Sequence, residues 1–528
     1  MTSLVRAALL ALGCLGSVAE PVLADTLNLA HTPQTIYAYP TAFGPIDPVA
    51  MVDCFEGLLA ADAKGEAVPG QAASWTISPD GLTYTFALRE GLSWSNGDPV
   101  VAEDFVAAFR WLFDPANAFE FAYLQFPIRN ASAIASGTLG MDQLGVKALD
   151  PRTVEITLER PTPHFLQLLT HSTAYPLPSA LLASKGRVGL SPADLVCNGP
   201  YVITAREGEL TRAEKSARYY GQSQLEIDAI NYYAVDDVPA ALARFKAGEI
   251  DMFYDLPVSA NAWIDANAAG ESRVVPFLGL SYLTVNFDRP PFDNLAVRRA
   301  LSMAIDRSQL DPQGVHSPRT EAYGLVPDGT ANSTGGRSYR PEWADWPYER
   351  RLIEARAALE GLGYTRDNPL AIEIHYANNA DDTHQQVVRA ISRMWGAIGV
   401  EATLYSAAPQ SYLSELHAGD FDVARLTWLL DVSDPANILE LMGSASEFNM
   451  GHYSAEGIDD LLSGAAAELD LETRAALLSD IEQHLVDDVA VIPLHWTVVR
   501  NLIAGGLAGI EDNAKNIHPS RWVQKAPQ

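Results

Sequence analysis

The sequence predicts an α/β protein of two lobes, with an extra α+β subdomain inserted in the first lobe. Three observations predict it. At 528 residues the chain is too long to build around one hydrophobic core. Segments of helical spacing feed short apolar runs, as at 241–254 and repeatedly over 349–405, which is the pattern of helices packed on a sheet. Between 55 and 181 that pattern gives way to alternating strands, a hairpin and one helix, a compact unit of a different kind.

Composition bounds the function. With 48% hydrophobic and 19% charged residues the chain is globular throughout. Lys and Arg number 36 against 66 Asp and Glu, a formal charge of −30. Such a surface repels phosphate backbones and anionic lipid, so nucleic acid is excluded as a partner. Residues 1–24 read as a secretion signal: Arg6, an apolar run over 7–18, and Val22-Leu23-Ala24 before Asp25. No later stretch reaches the roughly 18 to 20 apolar residues that span a bilayer, so an exported chain without membrane insertion is expected. A lipoprotein acylated at Cys14 is the weaker alternative, because the apolar run before it is short. Cys54 and Cys197 then remain; they form a disulfide or stay two separate thiols, and sequence alone leaves both open.

In order, the first element is a strand over 26–30, followed by a turn-rich passage with Pro33, Pro40, Gly44-Pro45 and Pro48. Residues 83–88 alternate as a strand, and 102–113 have helical spacing with Phe105, Phe109 and Leu112 on one face, stopped by Asp114-Pro115. Trp75, Trp94 and Trp111 fit core positions at these spacings. Residues 142–158 form a hairpin around Asp150-Pro151-Arg152. A helix over 241–251 feeds a strand at 250–254. An apolar strand near 278–286 carries the chain toward the second lobe, followed by Pro290-Pro291-Phe292 and a helix over 294–306. Helices at 349–362 and 383–397 then alternate with strands at 371–376 and 400–405.

The stretch 417–434 reads as a strand after the turn Ala418-Gly419-Asp420, bounded by Asp434-Pro435. Arg425 and Asp431 within it are costly to bury unless each meets an opposite charge. An ion pair inside the fold satisfies that need, and so does a zwitterionic ligand in a cleft. No enzyme constellation accompanies it: there is no His-Glu-x-x-His helix, Gly-x-Ser-x-Gly elbow, Walker loop or Cys-x-x-Cys. Neither a metal nor a cofactor is expected, and the reading is a binder, with a secreted hydrolase as the rival class.

Phe421-Asp-Val-Ala-Arg425, Trp428, Asp431, Asp434-Pro435 and Asn449-Met-Gly-His-Tyr453 resemble the second-lobe signature of the periplasmic oligopeptide-binding proteins of ABC importers. The blocks at 69–105, among them SPDGLTYTFAL over 78–88, resemble the wider family 5 solute-binding group, and the likeness covers about 25–520. It implies a periplasmic-binding-protein clamshell with lobe I at 25–54, 182–278 and 498–528, an inserted subdomain at 55–181 and lobe II at 279–497, the segment 489–499 returning the chain to lobe I. It implies a periplasmic monomer that captures short peptides and hands them to a membrane permease. Murein peptides, opines or a modified amino acid remain alternative ligands. By the resemblance Asp431 takes the α-amino group and Arg425 helps take the carboxylate. His384 meets the carboxylate of longer peptides, Trp428 and Thr427 line the ligand, and Phe43 and Gly44 contact its main chain from the first lobe. Strict alternation instead turns Trp428 to the opposite strand face, which suggests packing, and His384 also fits a surface position at a helix N-terminus. Pro409 and Leu416 depart from the family's tryptophan and arginine, and His495-Trp496-Thr497 from its aromatic run.

Overall fold

The computed structural model describes residues 25–32, 46–185, 192–310, 321–378 and 383–525. One mixed ten-stranded sheet runs through the molecule. At its centre lie two long antiparallel strands, Ser272–Val285 and Ile492–Ile503. On one side the sheet continues through Met252–Tyr254, Thr26–His31, Ala229–Ala234, Leu210–Lys215 and Tyr201–Glu207; on the other through Val423–Leu429, Leu370–Ala377 and Val400–Ala407. Helices cover both wings, so the fold is α/β and two-lobed, with the two central strands shared between lobes.

The central pair breaks register between Pro276 and Leu280 and again between Ser281 and Tyr282. Gly279 sits in the first break. A Cβ there would stand 2.3 Å from Thr497 Oγ1 and 2.7 Å from Leu429 Cδ2, so any larger residue would have to displace the side chains of the two flanking strands.

A separate four-stranded antiparallel sheet, ordered Ala72–Ile77, Thr83–Leu88, Thr153–Thr157, Val146–Asp150, forms the inserted unit with the helix Ala102–Leu112. Phe105, Phe109 and Leu112 are buried on one face of that helix, as their spacing predicts. Trp94 is 1% exposed and donates from Nε1 to Asp104 at 2.9 Å, while Trp75 and Trp111 pack half-buried against the same core. Asp104 also accepts from the backbone of Val101 and Ser179, which satisfies its buried carboxylate. Cys54 and Cys197 are joined in a disulfide, linking the point where the chain enters this unit to the point where it has returned.

The helix expected over 241–251 is Val238–Lys246. Asp237 caps it by accepting from Ala240 N at 3.0 Å, and Gly248 at φ 77° ends it, because a left-handed residue cannot continue the helix.

Candidate ligand-binding site

The strand Val423–Leu429 pairs along its length with the central strand, Arg425 opposite Leu283, Thr427 opposite Ser281 and Leu429 opposite Gly279. On its other side it meets Leu370–Ala377 only at Val423 and Ala424. Among the described residues no strand pairs with that edge beyond Ala424, and Tyr412 Oη takes the Arg425 carbonyl, so the open edge is residues 426–429. Leu430 N bonds to Leu278 O at 2.7 Å, the last link before the chain bends at 431–434.

Asp431 is half-buried and lines a cavity of about 320 Å³ between the lobes. Residues of the inserted unit and the C-terminal loop line it too: Phe55, Phe121 and Tyr175 supply apolar surface, and Lys515 and Ser172 supply polar groups. Asp431 forms no ion pair among the described residues. Its carboxylate accepts a hydrogen bond from Tyr123, a residue of the inserted unit. Burial raises its pKa above the ordinary carboxylate value, and the tyrosine offsets this only in part.

Three residues on, Asp434 has the opposite character. It is 0% exposed and bidentate to Arg474 at 2.8 and 2.9 Å. Asn332 Nδ2 and the backbone N–H of Ala436 also donate to it. Burial acts to raise its pKa, but the Arg474 hydrogen bonds and the charges of His164 and Arg474 hold it below the usual range. One acidic side chain of this loop is thus locked in the fold and the other is turned to the cleft.

The remaining expected residues fall into separate places. Arg425 is buried, its carbonyl accepting from Tyr412 Oη at 2.8 Å. Its charge, with that of His384 and after burial, pushes His495 down to about 3, so these three side chains form one cluster. His384 donates from Nδ1 to the carbonyl of Ala377 at 3.0 Å, at the start of the helix Thr383–Gly396. Thr427 is exposed on the strand face shared by Arg425 and Leu429. Trp428 faces the other way, donating to Asn437 Oδ1 at 3.2 Å and meeting Phe448 edge-on. None of these four lines the cavity beside Asp431. Phe43 and Gly44 lie outside the described residues. Leu416 is fully buried with Tyr412, Phe421 and Met450, so an apolar cluster stands where relatives were expected to carry an arginine.

Sequence reasoning did not single out Tyr123 or the 514–521 loop. Tyr123 is one of several aromatics in Phe119–Phe126, and nothing in that run marks the one that reaches Asp431. Lys515 carried a fainter signal: it is the sole cation between Asp512 and Arg521.

The family described as bacterial extracellular solute-binding proteins, family 5 middle, matches residues 66–450. The periplasmic oligopeptide-binding protein OppA of Escherichia coli (strain K12) is 34% identical over 465 residues, covering 87% of this chain and 84% of that protein. The probable deoxycholate-binding periplasmic protein YgiS of the same organism is also 34% identical, over 91% of this chain and 92% of its own. Among solved structures, the unliganded open form of the periplasmic murein tripeptide-binding protein MppA superposes with a TM-score of 0.84 at 28% identity, covering 95% of this chain and 98% of that one.

Proposed function

The chain belongs to the bacterial extracellular solute-binding proteins of family 5, and on that premise we propose that it captures short peptides in the cleft between its lobes and delivers them to an ABC permease from the periplasm. The observation that carries this reading is Asp431, a half-buried carboxylate on the cleft wall with no cationic partner among the described residues. A peptide supplies that partner in its α-ammonium, and Tyr123 holds the carboxylate for it from the opposite lobe.

A receptor for many peptides must read what all peptides share. The open edge of 426–429 supports main-chain recognition by strand addition, and the Arg425 guanidinium, on the strand face it shares with Thr427 and Leu429, offers positive charge for a carboxylate, with His384 near it. We further propose that the register breaks of the two central strands, around Pro276–Tyr282, are the hinge on which the lobes close. The likeness to an unliganded open form supports a cleft waiting for its ligand.

Calorimetric titration with di- to pentapeptides, each with a free or acetylated amino terminus, tests the reading. Free peptides bind and acetylated ones do not; indifference to acetylation removes the role given to Asp431. Another amine-bearing solute as ligand would leave every peptide silent and appear by mass spectrometry of what co-purifies. A hydrolase would cleave the peptides over time.

A further inference from the structure

We propose that Lys515 and Ser172 form a carboxylate-binding subsite in the same cavity as Asp431, so that the preferred ligand carries an anionic group close to its amino terminus. The inference rests on the cleft being the ligand site and adds a substrate preference to it.

Both residues line the cavity, and both lack a partner there. Lys515 makes no hydrogen bond or ion pair among the described residues. Ser172 Oγ is buried with no hydrogen-bond partner among them. An ammonium and a hydroxyl left unmatched against one apolar space are costly to the empty fold, and a carboxylate satisfies both at once. Burial lowers the Lys515 pKa to about 8, with the charge of Glu66 opposing it. Glu66 does not form a salt bridge to Lys515; its carboxylate accepts from Gln167 Nε2 at 3.1 Å. His171, close enough to feel the lysine's charge, is pushed down to about 3 by burial first, so it adds no second positive charge beside Lys515.

Burial also pushes His518, on the same wall, down to about 4, and the remaining basic group of the wall among the described residues is already committed. Arg521 is paired with Glu56 and with Tyr219. Lys515 is therefore the cation that a ligand anion can reach. The carboxylate can come from an acidic peptide side chain or from a free apolar acid, and the experiment separates the two.

The full chain is titrated with tripeptides carrying Glu or Gln at the first or second position, and with deoxycholate, using wild type, Lys515→Met, Lys515→Arg and Ser172→Ala. Wild type is expected to prefer a Glu peptide over its Gln counterpart by about tenfold or more, the scale of one charge-assisted hydrogen bond. Lys515→Met erases that preference by weakening the Glu peptide more than its Gln counterpart. Lys515→Arg retains it, and Ser172→Ala reduces it. If deoxycholate binds instead and depends on Lys515 while no peptide preference exists, the subsite stands with a free acid as its source. Equal affinity for Glu and Gln peptides together with Lys515-independent deoxycholate binding overturns the proposal, as does a Glu preference that survives Lys515→Met. Failure of every probe to bind wild type instead overturns the reading of the cleft.

Discussion

Asp431→Asn isolates the proposed amine site because it removes charge and little else. The amide keeps the shape of the carboxyl, and its oxygen can still accept from Tyr123. Two unit charges about 3 Å apart at an effective dielectric near 20 attract by roughly 5 kcal/mol. Desolvating the ammonium cancels part of that, which leaves the range of about 2 to 5 kcal/mol found on truncating one member of such a pair. The peptide Kd should therefore rise by at least about thirtyfold. The empty protein should respond differently. Burial raises the pKa of Asp431 with no cation to reverse it, so its charge at neutral pH opposes folding, and neutralising it leaves the melting temperature unchanged or slightly higher. Thermal melts with and without peptide read both effects. At a ligand concentration one hundred times the wild-type Kd the stabilisation is about 2.7 kcal/mol, and a hundredfold loss of affinity shrinks it to about 0.4 kcal/mol. A variant that binds free-amine peptide like wild type refutes the reasoning, and so does one whose empty form melts several degrees lower, since that is the mark of a broken structural contact.

The pH dependence of binding follows from the same carboxyl. Because its pKa is raised in the empty cleft, affinity for free-amine peptides should fall as pH drops through that value, at most tenfold per unit, and Asp431→Asn should abolish the dependence; titration across the acid range checks both. Arg474→Leu leaves Asp434 charged and buried, so a loss of about 3 to 5 kcal/mol in denaturant unfolding is expected, partly restored by adding Asp434→Asn. The folded-state pKa of Asp434 is depressed, so the stability it contributes is present above the unfolded value near 3.9 and is lost as pH falls through the lower folded value; melts of wild type from pH 5 to 2 should show it. Reducing Cys54–Cys197, which closes a loop of 143 residues, should lower stability by up to about 5 kcal/mol on the chain-entropy estimate, measurable as a lower unfolding midpoint in reductant.

What the sequence disclosed depends on whether a feature is local. The helix Ala102–Leu112 announces itself because Phe105, Phe109 and Leu112 repeat at its own period, and the strand Val423–Leu429 because its apolar residues lie between a turn and Asp434-Pro435. The end of the helix Val238–Lys246 was missed by several residues, since one glycine at positive φ outweighs continued helical spacing. The disulfide was left open because a pairing across 143 residues is a matter of distance, which no spacing encodes. The family resemblance supplied the role proposed for Asp431, and the chain's own chemistry supplied only the problem that Arg425 and Asp431 need opposite charges; nothing local told Asp431 apart from Asp434, three residues on.

Their different fates come from partners elsewhere in the chain, 40 and 102 residues away for Asp434 and in the inserted unit for Asp431. Asp434 meets Arg474, Asn332 and a backbone N–H, and its charge is used up in holding the loop. That fixed loop carries Asp431 at its start, bonded to Tyr123 and lining one cavity with Lys515, each from another part of the chain. The cleft is thus built from three segments, each contributing a group that has no sufficient match within its own segment: a carboxylate from the second lobe, a phenol from the inserted unit, an ammonium from the C-terminal loop. Packing alone would favour pairing the carboxylate with the ammonium directly, and among the described residues it does not. On the proposed function, the separation of these two charges holds a cost in the empty protein that a ligand bearing both signs would relieve on entry, and that differential contact would favour the closed lobes when such a ligand is bound.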